Sequence, residues 1–310
     1  MRRSLVTGGA GFIGSAIVEA LVRRGDRVRV LDNFSTGKRS NLAAAGDEIE
    51  IIDGDLRDPD AVRRALQDIE IVFHEAAFVS VPQSMVEPEL CDEINVHGTV
   101  RILAAAQRAG VRRVILASSA AVYGDSDALP LNEREALNPL SPYAVSKRVN
   151  ELYAKLYGQV FGLETVCLRY FNVYGPRQSP ESDYAAAIPI FLRKMIARET
   201  PSIYGDGRQG RDFVFIQDVV GANLKAAESP AAAGQVFNVC SGKEVQIIDL
   251  VTTINRVLGQ DIQPLYEAPR SGDIYRSLGD PSQAEAVFNF TAATDLETGL
   301  AQTAAWMQGG

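Results

Sequence analysis

The groups in this chain best suited to moving a proton are Ser118, Ser119, Tyr143 and Lys147. The two hydroxyls close the apolar run 114–117, and the Tyr and Lys, four residues apart, open the next amphipathic segment. Four residues is about one helical turn, so the phenol and the ammonium share a face. Ser141 suits the N-cap of such a helix, because its hydroxyl accepts an exposed amide proton. Pro142 suits the first position, where a missing N–H costs nothing. A free phenol titrates near ~10, and a neighbouring ammonium stabilises the phenolate and brings it toward neutrality, as a general base requires. Spacing alone fits an ordinary half-exposed helix as well, so the case rests on the elements that position these groups.

Those elements alternate. A strand over 4–7 leads into the turn Gly8-Gly9-Ala10-Gly11 and a helix from Phe12 that ends at Gly25. Gly8, Gly11 and Gly14 are spaced for a dinucleotide: one permits the turn, one lets backbone approach a pyrophosphate, and one lets helix pack on sheet. A strand over 28–31 ends at Asp32, at the offset where a carboxylate grips the adenosine ribose and repels a 2′-phosphate, favouring NAD over NADP. Lys38 and Arg39 lie close enough to temper that preference. A strand over 49–52, a helix over 59–67 and a strand over 71–73 continue the rhythm, which predicts an α/β, Rossmann-type, doubly wound parallel sheet. Asp55 is placed to accept the adenine amine and Leu56 to pack on its ring, while Ala76 and Ala77 leave room for a cofactor to cross. His74 and His97 lack ligand-spaced companions and read as core or capping residues, so no metal site is expected.

A helix over 90–109, ending at Gly110, and a strand over 113–117 put Ser118 and Ser119 at the carboxyl end of a strand, where open α/β sheets bind ligands. The helix of Tyr143 and Lys147 runs to about 161, and a strand over 164–169 leads into Tyr170-Phe171-Asn172. Beyond Arg177 the rhythm loosens into helices over 188–197 and 247–258, short strands over 213–215 and 235–239, and a last helix over 297–307. A smaller mixed α/β domain is therefore expected to begin near Arg177, with the chain returning to the first domain after Arg211.

With 310 residues and 46% hydrophobic content the chain can bury a sizeable core. A net charge of −8 without a basic run argues against nucleic acid or an anionic membrane as the main partner. Cys91, Cys167 and Cys240 are far apart and form no CxxC pair, which suits a reducing, cytoplasmic setting. Arg2-Arg3 imitates the start of a signal peptide, but the glycines from Gly8 onward interrupt the apolar run that one needs. No apolar run approaches the ~20 residues of a membrane span.

The run Thr7 to Gly14, Asp32-Asn33, Gly54-Asp55-Leu56, Ser118 to Gly124, Tyr143-x-x-x-Lys147 and Arg169 to Pro176 together resemble the extended short-chain dehydrogenase/reductase family over nearly the whole chain. Within it the chain is similar to UDP-hexose 4-epimerases, most of all to the branch acting on N-acetylated UDP-sugars, through Arg177-Gln178-Ser179-Pro180 and the run Tyr184 to Pro189. The resemblance implies a tightly held NAD that takes hydride from the sugar C4 and returns it to the other face, with no net redox. It implies Tyr143 as proton acceptor for the 4-hydroxyl, Lys147 as its electrostatic partner and ligand of the nicotinamide ribose, and Ser119 as the hydroxyl on the sugar oxygen. It implies cofactor contacts from Gly8, Gly11, Phe12, Ile13, Gly14, Asp32, Asn33, Ser35, Thr36, Gly37, Asp55, Leu56, Ala76, Ala77, Asn95, Ala117, Ser118, Tyr170 and Phe171, besides Tyr143 and Lys147. On the substrate side it implies Ser80 together with Asn172, Ala187 and Ile188 near the sugar phosphate, Tyr204 against uracil, Arg211 and Arg270 on the pyrophosphate, and Asp273 on the uridine ribose. Arginine forks match phosphate oxygens and a carboxylate matches a diol.

Ser277 falls where some relatives carry a large aromatic, so an N-acetyl group should fit and the UDP-GlcNAc/UDP-GalNAc pair is expected, beside UDP-glucose/UDP-galactose as the wider reading. Ala120 and Ala121 stand where dehydratase and decarboxylase relatives carry an acid. A UDP-uronic acid 4-epimerase would use the same triad, and a non-enzymatic NAD-sensing module would need none of it. The implied organisation is an NAD-binding domain of 1–177 with returning segments within about 212–245, and a UDP-sugar domain of 178–211 and 246–310. In similar proteins the helices over 90–109 and 143–161 pair across a homodimer, which is the assembly expected here.

Overall fold

The computed structural model describes residues 2–180, 186–269 and 274–309. The chain opens with β1 (Arg3–Thr7), α1 (Phe12–Arg23), β2 (Arg27–Asp32), β3 (Ile49–Asp53), α2 (Pro59–Ala65) and β4 (Ile71–His74). It continues through α3 (Val81–Val86), α4 (Pro88–Asp92), a π-helical turn over Glu93–His97, α5 (Gly98–Arg108), β5 (Arg113–Ser119), α6 (Pro142–Phe161) and β6 (Glu164–Tyr170). The rest comprises β7 (Asn172–Tyr174), α7 (Ala187–Ile196), β8 (Ser202–Tyr204), β9 (Gly210–Phe215), α8 (Ile216–Glu228), β10 (Val236–Val239), β11 (Glu244–Gln246), α9 (Ile247–Leu258), β12 (Leu265–Glu267), α10 (Ser282–Phe288) and α11 (Leu296–Gly309).

Seven strands form a parallel sheet in the order β10-β6-β5-β4-β1-β2-β3. Its inner strands are buried on both faces, as helical cover on two sides requires. The strand order reverses between β1 and β4, so the crevice at their carboxyl ends is the place where such a sheet takes a ligand. One face packs Ile17, Val18 and Leu21 of α1 with Val219 and Ala226 of α8, and the other packs Ile102, Leu103 and Ala106 of α5 with Val62 of α2. A second core gathers Ile188, Phe191 and Leu192 of α7, Leu250 and Ile254 of α9, and Leu300 of α11 around the small sheet β11-β9-β7.

Four features depart from the sequence reading. The segment expected as one helix over 90–109 is helical from Pro88 to Arg108 but contains the π turn. The helix α8 lies where the sequence shows no boundary, because β9 runs straight into it and its N-cap Phe215 makes no side-chain bond that would mark a start. The segment α10, expected with the substrate unit, packs on the large sheet instead, its Phe288 ring edge-on to Phe237 at 4.9 Å. His97 is not a core residue: it is exposed, 3.9 Å from Asp92, and stands at the N-cap position of α5 without a side-chain bond.

Candidate active site

The crevice begins at the glycine turn. A Cβ on Gly8, whose φ is +66°, would lie 2.7 Å from the Ala76 backbone, and one on Gly14 would lie 2.1 Å from Gly8 O. Only bare backbone fits there, and it forms a cradle from which α1 starts. Gly11 caps α1 without a side-chain bond, so the amides of Phe12 and Ile13 are the anion-facing end of the helix, while both side chains pack toward the second core. Asp32 accepts from Ala10 N at 2.9 Å and from Phe34 N at 2.8 Å, which fixes its carboxylate at the end of β2. Ser35 donates to Asn33 Oδ1, and Asn33 donates to Asp55. Thr36 is exposed beside Gly37, whose missing Cβ lets the loop lie on Ala10. Arg39 pairs with Asp53 and lies over the Phe34 ring, so its guanidinium is engaged beside the ribose end of the groove. Asp55 is held well below the usual carboxylate range by the hydrogen bonds of Arg57. Leu56 is buried against Gly98, and Ala77 follows Ala76 along the groove. These features fit a dinucleotide: a cradle without side chains, an open helix N-terminus and an acid at the ribose offset.

Ser119, Tyr143 and Lys147 converge at the carboxyl end of β5. The helix α6 forms as the sequence requires: Ser141 Oγ accepts from Ala144 N, Pro142 holds the first position, and Gly162 ends it in the left-handed region. Ser84 Oγ of α3 also accepts from Tyr143 N at 3.2 Å. The hydroxyls of Tyr143 and Ser119 share a hydrogen bond. Because Ser119 Oγ already accepts from Ala121 N, its proton is left to donate. Lys147 Nζ donates to Ala117 O at 2.8 Å and lies 5.7 Å from the Tyr143 ring centre. Burial pushes the Tyr143 phenol up to about 12, against the Ser119 hydrogen bond, and pushes Lys147 down to about 8, against the charge of Glu75. Desolvation is thus the largest influence on both groups.

Four residues of the implied cofactor set have side chains engaged within the protein. Ser118 donates its hydroxyl to Glu151 at 2.7 Å, away from the groove. Asn95 is buried and spends its amide on Phe78 and Ser146, so it ties the loop after β4 to α6. Tyr170 is buried with its hydroxyl on Glu75 and Asn223, and Phe171 packs beside Tyr123.

On the substrate side Ser80 caps α3 through Gln83 N. Asn172 opens β7, and Ala187 opens α7. Ile188 is wholly buried in the second core, which leaves only its backbone for a ligand. Tyr204 ends β8, and Arg211 on β9 donates to the carbonyls of Gly210 and Tyr275. Ser277 is half-buried, its amide bonded to Gly210 O at 3.1 Å. Arg270, Asp273, Tyr184 and Ala185 lie outside the described residues. Among the described residues no group of three or more His, Cys, Asp or Glu is placed to hold a metal ion, and no helix is long and apolar enough to cross a membrane.

A family model described as the NAD dependent epimerase/dehydratase family matches residues 4–240, the span that holds both the cradle and the Ser-Tyr-Lys cluster. The chain belongs to this family. Its NAD groove and its sheet are those of an epimerase/dehydratase fold. A putative UDP-glucose 4-epimerase of Methanocaldococcus jannaschii is 40% identical over 306 residues, 98% of each chain. The structure of a UDP-N-acetylglucosamine 4-epimerase from Methanobrevibacter ruminantium, in complex with UDP-N-acetylmuramic acid, superposes with a TM-score of 0.95 at 41% identity over 99% of this chain and 98% of that one. The UDP-glucose 4-epimerase of Thermus thermophilus, solved with NAD, gives 0.91 at 35% identity over 99% of both.

Sequence reasoning missed two acids of this epimerase/dehydratase chain. Glu75 lies between His74 and Ala76, where a carboxylate directly after a buried strand was the available signal. Asp212, fully buried, accepts from Ser241 N and Oγ, Gly242 N and Gly279 N, joining the loops on either side of the substrate strands; burial pushes it up to about 6. Its signal was its place directly after Arg211.

Proposed function

We infer that the protein is a UDP-sugar 4-epimerase. The observation that carries this is the meeting of Ser119, Tyr143 and Lys147 at the sheet's carboxyl edge, beside a cradle built for NAD and without an acid at Ala120 or Ala121. Tyr143 Oη takes the proton of the sugar 4-hydroxyl, and Ser119 O–H holds the same oxygen as it becomes a carbonyl. Lys147, oriented by Ala117 O, supplies positive charge near the phenol ring. When bound, NAD accepts hydride from the sugar C4 and returns it to the opposite face. Tyr143 then gives its proton back, so the product differs from the substrate only at C4. For Tyr143 to act, its pKa must fall from about 12, and the charge of the oxidised cofactor works in that direction with Lys147.

The half-buried Ser277 beside Gly210 and Arg211 supports the N-acetylated pair, UDP-GlcNAc and UDP-GalNAc, with UDP-glucose and UDP-galactose also admitted. The kinship with the Methanobrevibacter enzyme supports the same reading. On the substrate side Asn172, the backbone at Ala187 and Ile188, Tyr204, Arg211, Arg270 and Asp273 are proposed to hold the UDP moiety. The second core and its strands form the proposed sugar-binding unit. The exposed stripe Val145, Leu152, Leu156 and Val160 on α6 supports a homodimer; a monomer in light scattering at micromolar concentration refutes it. Three buried, unpaired thiols support a cytoplasmic setting.

The test is to incubate the purified protein with single UDP-sugars, without added cofactor, and to resolve products by NMR. A C4-inverted sugar is expected. A 4-keto-6-deoxy product indicates a dehydratase, inversion confined to a UDP-uronic acid moves the substrate class, and no turnover on any sugar leaves a binding module.

A further inference from the structure

Glu75 stands at the carboxyl end of β4, on the side of the crevice where the strand order reverses. Its amide donates to Thr7 O at 3.2 Å, and the next amide, of Ala76, donates to Thr7 Oγ1 at 3.3 Å. Ala76 is the residue against which a Cβ on Gly8 would collide. The backbone of Glu75 is thus pinned beside the glycine cradle, while its carboxylate lies within electrostatic reach of Lys147. Tyr170 of β6 donates its hydroxyl to Glu75 Oε1 at 2.9 Å, and Asn223 of α8 donates to that hydroxyl at 2.8 Å. Two donors in series aimed at one carboxyl stabilise its charged form. The ionisable groups facing it are Lys147 and Tyr143 from α6 and Tyr170 from β6, while His74 points to the other face of the sheet, bonded to Thr7 and Thr99.

We propose that Glu75 is an electrostatic element of the reaction, a fixed negative charge beside the cofactor groove that favours the oxidised over the reduced nicotinamide. This rests on hydride transfer as the chemistry of the site. Oxidised NAD carries one more positive charge than the reduced form, so a carboxylate in this low-dielectric crevice stabilises it selectively. An enzyme that must return every hydride it takes benefits from such a bias, since a stranded reduced cofactor ends turnover. Burial pushes Glu75 up to about 7, so the bias fades as pH falls through neutrality.

The NAD-loaded enzyme, without any UDP-sugar, is equilibrated with a soluble redox mediator of known potential, and reduced nicotinamide is read by its absorbance. At about pH 8.5 Glu75→Gln raises the ratio of reduced to oxidised cofactor about tenfold at fixed mediator potential, a shift of about 30 mV for a two-electron couple. At about pH 5.5 the two proteins converge, because wild-type Glu75 is then protonated. A merely structural role gives a difference that does not depend on pH, and that result overturns the proposal, as does no difference in a folded, NAD-loaded variant. Should Glu75→Gln lose its NAD, the pH dependence of the ratio is compared between wild type and Tyr170→Phe, which keeps the charge and removes its donor, so the midpoint moves up; an unmoved midpoint overturns the proposal. No sugar is present, so failure of the epimerase reading leaves this measurement intact.

Discussion

Replacing Gly14 with Ala should cost both fold stability and cofactor, for a reason visible in the backbone. The new Cβ would lie 2.1 Å from Gly8 O, 2.8 Å from Gly8 C and 2.9 Å from Gly9 Cα. Contact at van der Waals distance needs roughly 3.5 Å, so the fingerprint turn must retreat by about 1.4 Å. Gly8 O accepts from Gly11 N at 3.0 Å and Gly8 N donates to Leu31 O at 2.8 Å, so that retreat strains both bonds. Losing them at about 1 kcal/mol each, with about 1–3 kcal/mol of overpacking, sets the destabilisation at about 3–5 kcal/mol. NAD affinity should fall by at least about 100-fold, since the cradle itself is displaced. Gly25→Ala is the matched control. It lies beyond the other end of α1 at φ +85°, with nothing within 4 Å of the added Cβ, so it should cost about 1–2 kcal/mol and leave NAD in place. Urea unfolding and the NAD released per chain on denaturation read the two effects separately. Wild-type stability and full NAD content in Gly14→Ala would refute the close-approach argument; equal NAD loss in Gly25→Ala would reduce it to general destabilisation.

Tyr143→Phe should slow sugar turnover by about 10²–10⁴-fold while NAD stays bound, as followed by NMR of the product sugars. Ser277→Tyr should remove activity on the acetylated pair and spare the non-acetylated one, and equal loss on both would rule out a gatekeeping role. Glu151→Gln leaves Arg169, which Glu151 binds through two 2.8 Å contacts, buried without its counter-charge, and should cost about 3–5 kcal/mol in urea unfolding. Burial raises the Glu151 carboxyl, but Arg169, Ser118 and Arg148 outweigh it and hold it below the ordinary glutamate value. Its contribution is therefore present above about 4.5 and lost as pH falls through the folded value, so the variant should show a shallower acid limb.

Glu151 and Glu75 show where linear reading stops. The motif residues around them announce themselves, since Gly8, Gly11 and Gly14 carry a spacing that only a close backbone approach explains. The caps Ser141 and Gly162 also bracket α6 by local chemistry. A buried carboxylate has no such signature: Glu151 resembles any helix-surface glutamate until Arg169 and Ser118 are seen beside it. The same holds for Asn95 and Ser118, whose types fit a cofactor contact but whose side chains are spent on neighbours from other elements.

The amino-acid sequence by itself determined the alternating strands and helices, the dinucleotide cradle and the placing of Tyr143 and Lys147 on one face of α6, because these follow from local spacing, caps and glycines. Only the tertiary structure decided which polar groups face the crevice and which serve as struts, that α8 and α10 pack on the large sheet, and that burial sets Tyr143 at about 12 and Lys147 at about 8. The physical reason is that desolvation and hydrogen-bond partnership depend on residues far apart in the chain, such as Glu75 with Asn223 through Tyr170, and no local pattern encodes which of them will meet.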